Sequence, residues 1–97
     1  MNIISKREID KFIKKHRDTK ATLETWYHEV NAKATIWKTS SDIKKRYSSV
    51  SFLEKNYVIF NIKGNKYRLV TKIAYNSGIV YIKWIGTHAE YDKKRFP

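Results

Sequence analysis

Between Asn61 and Asp92 the chain carries Asn61, Lys63, Lys66, Arg68, Lys83, His88 and Tyr91 in two strand-like stretches and a short tail. Cations, one titratable imidazole and a phenol on one face of a small sheet have a definite chemical use. Together they can hold a phosphodiester and move protons around it with no metal ion. Cleavage of RNA is the chemistry this set fits. A metal-free ribonuclease lets the ribose 2′-OH attack the adjacent phosphorus, giving a 2′,3′-cyclic phosphate and a free 5′-OH. One group must take the 2′-OH proton, cations must hold the charge that builds on the phosphorane oxygens, and another group must protonate the leaving oxygen.

Arg68 is the candidate phosphate clamp, because its planar fork can bind two phosphoryl oxygens and keeps its charge at every accessible pH. An ordinary surface ion pair is the alternative. His88 is the candidate acid or base: it is the sole histidine in the carboxy-terminal motif, and imidazole is the side chain that ordinarily titrates near neutrality. Tyr91 would support it, by donating to the scissile phosphate or by stacking on a base. Asn61, Lys63, Lys66, Lys72 and Lys83 are candidate RNA contacts, each lysine being equally explicable as a solvated surface charge. His16 and His28 fall in helical patterns and are expected to be structural or exposed. His88-x-Glu90-x-Asp92 is a poor metal site, since two-metal nucleases need several convergent carboxylates, and neither a metal nor a cofactor is expected.

The rest of the chain must position these groups. Its 97 residues make one domain, 1–97, with a core just large enough to fold without staples. Lysine and arginine number 21 against 9 acidic residues, a formal charge of +12, which favours a polyanionic partner. The positive charge persists through the strand-like half, unlike that of a membrane-surface helix, so no membrane partner is expected. Cysteine is absent, which rules out disulfides and thiolate zinc sites. With no signal-like apolar run at the amino end and no membrane-length segment, a cytoplasmic protein is expected. No Gly-rich phosphate loop or Ser-His-Asp set supports nucleotide hydrolysis or acyl transfer.

Ile3-Ile4 reads as a brief edge strand, and Ser5 with Glu8 as a capping box for a helix running to about His16. That helix has the stripe Ile9, Phe12, Ile13, with His16 at the next position of the same spacing, and turns Lys11, Lys14 and Lys15 to solvent. Asp18 or Thr19 can cap a second helix whose stripe is Leu23, Trp26, Tyr27, Val30 and Ala34. Between Thr35 and Asn56 the pattern is broken, with one helical turn through Arg46 and loop around Ser48–Ser51. Tyr57–Ile62, Lys66–Tyr75 and Ile79–Ile85 read as strands joined by turns at Gly64 and at Asn76-Ser77-Gly78. Alternation sends Tyr67, Leu69, Thr71 and Ile73 to the helices, with Val80, Ile82 and Trp84. Arg68, Lys72, Tyr81, Lys83 and Ile85 are left on a basic, aromatic outer face. The expected class is α+β: two N-terminal helices packed on a small antiparallel sheet of three to four strands.

The segment Phe60-Asn-Ile-Lys-Gly-Asn-Lys-Tyr-Arg-Leu69, with Tyr81-Ile82 and Thr87-His-Ala-Glu-Tyr-Asp92, resembles the HigB toxins of the RelE-like superfamily. The likeness extends over essentially the whole chain. It implies a RelE-like fold and an mRNA interferase that cuts messages, typically in the ribosomal A site. It also implies silencing by a HigA-type helix-turn-helix antitoxin, through which alone the toxin would meet operator DNA. A non-catalytic RNA- or ribosome-binding module is the rival reading. It would need the same charge and aromatics but no proton-transfer groups, so the His88 and Tyr91 motif separates the two.

Overall fold

In the computed structural model, which describes residues 1–97, the chain runs β1 (Asn2–Ile4), α1 (Lys6–Lys15), a 3-10 turn (Arg17–Thr19), α2 (Lys20–Asn31) and α3 (Ser40–Arg46). It continues as β2 (Ser51–Phe52), a second 3-10 turn (Glu54–Asn56), β3 (Tyr57–Ile62), β4 (Tyr67–Ala74), β5 (Ile79–Thr87) and α4 (His88–Asp92). The class is α+β, but the sheet has five strands in the order β1-β5-β4-β3-β2, not three to four. Nor is it wholly antiparallel. β1 lies parallel to β5, with Ile3 opposite Val80. A three-residue strand paired with the far end of the chain leaves no local signal of its orientation. β2, in the stretch read as loop, is a two-residue strand paired to β3, with Ser51 opposite Ile59.

The helices pack on one face of the sheet through the expected stripes: Ile9 of α1 and Leu23, Trp26 and Val30 of α2 are buried, while Lys11, Lys14 and Lys15 are exposed. Ala34 lies beyond α2, which stops at Asn31 because Ala32 turns extended (φ −62°, ψ 141°). Ser5 does not cap α1 with its side chain. It sits in the left-handed region (φ 76°), and its carbonyl accepts the Glu8 N–H at 3.0 Å. Opposite the helices, Val58, Phe60 and Ile62 of β3, Tyr67, Leu69 and Ile73 of β4, and Val80 and Ile82 of β5 complete the core. Each fully buried aliphatic or aromatic side chain contributes roughly 1.5–3 kcal/mol relative to its exposed state.

One irregularity in β5 decides what lies on the other face. Val70 pairs with Trp84 but Thr71 pairs with Ile82, so Lys83 is an extra residue, a β-bulge. The alternation inverts there. Trp84, expected in the core, stands on the Arg68 face, and Ile85, expected outside, packs against the core beside Leu69. Trp84 joins Phe96 (ring centroids 5.9 Å apart), which stacks on Tyr91 (5.8 Å) and meets Tyr57 (6.3 Å). Ile59 and Val70, opposite one another, are buried on the same side as this second aromatic layer.

Candidate active site

Arg68 sits in the middle strand, flanked by Asn61 on β3 and Gly86 on β5. The turn before it is built from Lys63 (φ 54°) and Gly64 (φ 65°), both left-handed, a conformation cheap only for glycine. That turn places Asn65 over the guanidinium. Arg68 Nη2 donates to Asn65 Oδ1 at 2.9 Å, and Nη1 donates to the carbonyls of Asn65 (3.2 Å) and Tyr67 (3.3 Å). The fork is therefore held in one orientation before any ligand arrives. Its free side meets the other two candidates: Nη2 is 3.4 Å from His88 Nδ1, and the guanidinium carbon is 5.9 Å from the Tyr91 ring centroid, within cation–π range.

His88 and Tyr91 reach that point on a helix, where a departing tail was expected. Thr87 and Glu90 form a capping box. The Glu90 N–H donates to Thr87 Oγ1 (3.1 Å) and the Thr87 N–H to Glu90 Oε1 (2.8 Å), which keeps the Glu90 carboxyl below its ordinary range. The signal Thr-x-x-Glu was present in the sequence and marks the start of α4. On a helix, residues three and four apart share a face. His88 thus stands beside Tyr91 and also beside Asp92, whose Oδ2 is 3.3 Å from His88 Nε2. The tautomer follows. A guanidinium can only donate, so Nδ1 carries a lone pair toward Arg68 and the ring proton sits on Nε2, facing Asp92. The His88 N–H also donates to the Lys66 carbonyl at 3.0 Å, tying α4 to the start of β4. Gly86 leaves room for the indole of Trp84. A Cβ there would come within 2.3 Å of that ring and 2.9 Å of Glu90 Oε1.

The remaining candidates divide. Asn61 donates from Nδ2 to the Ser49 carbonyl at 3.2 Å. Lys72 lies over the Tyr57 ring (5.8 Å) and Lys83, at the bulge, over Tyr81 (5.6 Å). Lys66 and Lys63 point instead to Asp18, 3.1 and 3.9 Å away, and the buried Tyr67 donates its hydroxyl to the same carboxylate at 3.0 Å. Those two lysines are partly neutralised within the fold. His16 stacks on Phe12 at 4.3 Å and meets Tyr67 edge-on, while His28 is exposed beside Tyr27. Asp92 as a partner of His88, and Trp84 and Phe96 as the aromatic wall, were not anticipated. The His88/Asp92 spacing would have revealed the first once the segment was read as helical.

The Asp18 cluster has a pH signature. Lys66, hydrogen-bonded to the Asp18 carboxyl, is the main cause of its lowered pKa; partial burial opposes this, and Tyr67 and the charge of Lys63 add to it. A carboxyl whose folded value lies below its unfolded value of about 3.9 stabilises the fold fully above that pH, and the contribution disappears as pH falls through the folded value. Asp18→Asn is expected to lower the thermal midpoint near neutrality, and the difference from the wild type to shrink only as pH falls from about 4 through the lower folded value. Parallel melting curves across that range would contradict the coupling.

No helix is long and apolar enough to cross a membrane. The family model described as HigB_toxin, RelE-like toxic component of a toxin–antitoxin system, matches residues 19–94. Over 41 residues the chain is 44% identical to the mRNA interferase toxin HigB of Escherichia coli and to the mRNA interferase HigB of Shigella flexneri. That stretch spans 42% of this chain and 38% of the length of each relative.

Proposed function

From the premise that the chain belongs to the HigB toxin family, the RelE-like toxic components of toxin–antitoxin systems, we propose that it is a metal-independent endoribonuclease that cuts messenger RNA on the translating ribosome. The observation that carries the reading is the meeting of a pre-oriented guanidinium with an imidazole lone pair at 3.4 Å and a phenol ring at 5.9 Å. In this reading residues 1–97 form a single toxin domain acting in the cytoplasm, and a HigA-type antitoxin neutralises it and links it to operator DNA.

The chemistry then runs as follows. The scissile phosphate binds the Nε–H of Arg68 and the Nη2–H that otherwise faces His88 Nδ1, drawing the guanidinium from that nitrogen. That nitrogen takes the 2′-OH proton, and Asp92 on Nε2 holds the ring and steadies the imidazolium that forms. The 2′-oxygen–phosphorus bond forms and the bond from phosphorus to the 5′-oxygen breaks. Charge on the phosphoryl oxygens rests on Arg68, and the leaving oxygen receives its proton from Tyr91. Asn61, Lys63, Lys66, Lys72 and Lys83 add contacts to the strand, those of Lys63 and Lys66 at the expense of their hold on Asp18. The test is to incubate the protein with ribosomes translating a defined message and map the RNA ends. New ends carrying a 2′,3′-cyclic phosphate are expected. Tight ribosome binding with no new ends would make the protein a binding module instead.

A further inference from the structure

β1 is so short that its last pair, Ile4 with Tyr81, leaves the edge of β5 beyond residue 81 without a strand neighbour. α1 packs along β5, and between them lies a cleft of about 430 Å³. Lys11, Lys14 and Lys15 of α1 stand on one side and Lys83, pushed out by the bulge, on the other, with Phe12, Trp84 and Ile85 lining it. The four lysines are exposed and none has a carboxylate within ion-pair distance, in contrast to Lys63 and Lys66. The sole acidic lining residue is Glu8.

Like charges at spacings of three and four on a helix repel. The helix dipole accounts for Lys14 and Lys15 in the last turn of α1, but for neither Lys11 nor Lys83. A polyanion relieves the repulsion of all four. The lining also has an orientation: the Trp84 ring lies 6.3 Å from that of Tyr91, which is itself in contact with Arg68, and Lys94 Nζ is 5.8 Å from the indole centroid. A continuous path therefore leads from the guanidinium across two aromatic rings into the lysine cleft. Cations along a backbone track with ring faces between them suit single-stranded RNA, whose phosphates take the cations and whose bases stack.

We propose that the cleft between α1 and the free edge of β5 is a second RNA-binding site, in which Lys11, Lys14, Lys15 and Lys83 hold the phosphates of the single strand leading away from the cleaved bond and Trp84 stacks on a base. The inference rests on the cleavage reading in taking RNA as the ligand and in naming the strand as the one beyond the cleaved bond; the binding site itself does not require cleavage. Its test avoids cleavage altogether: binding of a fluorescent 2′-O-methyl oligoribonucleotide, which has no attacking hydroxyl, is followed by anisotropy over a salt series. The variant carries Lys11→Gln, Lys14→Gln and Lys15→Gln. Its control carries Lys33→Gln, Lys38→Gln and Lys45→Gln, exposed lysines away from the cleft, and so has the same net charge.

With about 0.7 counterion released per phosphate contact on a single strand, the cleft variant should lose about 2 from the slope of log K against log salt and bind roughly tenfold or more weakly at low salt. The control should follow the wild type. Equal losses in both variants would reduce the effect to overall charge and overturn the site, as would a wild type that shows no salt-dependent binding. Loss of ribosome sedimentation with unchanged oligonucleotide binding would assign the cleft to structured RNA and overturn the single-strand assignment. Failure of wild type to cut unmodified messages, with this binding intact, would count against the catalytic reading alone.

Discussion

Arg68→Ala is expected to lower ribosome-programmed message cleavage by about 10²–10³-fold, the usual loss when one pre-oriented donor to a developing oxyanion is removed. The melting temperature should barely move. Arg68 is half-exposed, its side-chain contacts go to one neighbouring turn, its own strand and His88, whose helix keeps a separate backbone bond to Lys66, and surface changes of this kind typically shift stability by no more than about 0.5 kcal/mol. Arg68→Lys should recover little. An ammonium keeps the charge but cannot bind two phosphoryl oxygens in one plane, and it cannot retain both the Asn65 contacts and the phosphate. A well-folded Arg68→Ala protein that cuts at the wild-type rate would remove the clamp from the mechanism.

Loss of the imidazole comes next. His88→Ala should cost about 10²–10⁴-fold in cleavage rate, the range of general acid–base catalysis, and should erase the limb of the pH–rate profile that belongs to this group. The second readout matters because a purely structural histidine could also lower activity when removed. The backbone bond from His88 to the Lys66 carbonyl survives the substitution, so α4 keeps its anchor. Asp92→Asn should have a smaller effect, since an amide oxygen can still accept the Nε2 proton but cannot balance an imidazolium charge. A His88→Ala enzyme with an unchanged pH profile would exclude the imidazole from proton transfer.

Both expectations depend on a meeting of groups that is partly local and partly not. Asn65 and Arg68 are brought together by one turn, and the need for positive φ there is visible in Gly64, though not in Lys63. His88, Tyr91 and Asp92 share a face because a five-residue helix begins at His88, just after its cap Thr87, and the capping box is written in four consecutive residues. What joins these two local units is the β4–β5 ladder, with Arg68 opposite Gly86. A chain read residue by residue suggests that hairpin but not its register.

The register is where the reading of faces failed. Alternation through β5 sends Trp84 inward, and an indole is a reasonable core residue, so nothing in the local pattern objects. A single extra residue at Lys83 reverses every side chain that follows. A bulge exists only as two residues facing one on the neighbouring strand, so it has no signature in β5 alone. The same reversal brings Trp84 to the wall between Tyr91 and the α1 lysines, and it ejects Lys83 into the cleft. Lysines 11, 14 and 15 could be seen as outward-facing from their helical spacing. Their convergence with Lys83 could not, because it depends on how α1 crosses an edge that β1 is too short to cover.

Residue chemistry and short-range spacing were enough to establish the basic charge, the helical stripes and the central hairpin, and to nominate candidates for holding a phosphate, because each is read from neighbours along the chain. The fifth strand, the parallel pairing of β1, the inversion at the bulge and the pairing of His88 with Arg68 emerge from contacts between different segments, as near along the chain as Phe52 and Val58 and as far as Ile3 and Val80. Such contacts are selected by the packing of the whole core, and a linear pattern carries no record of which of several compatible registers fills it best.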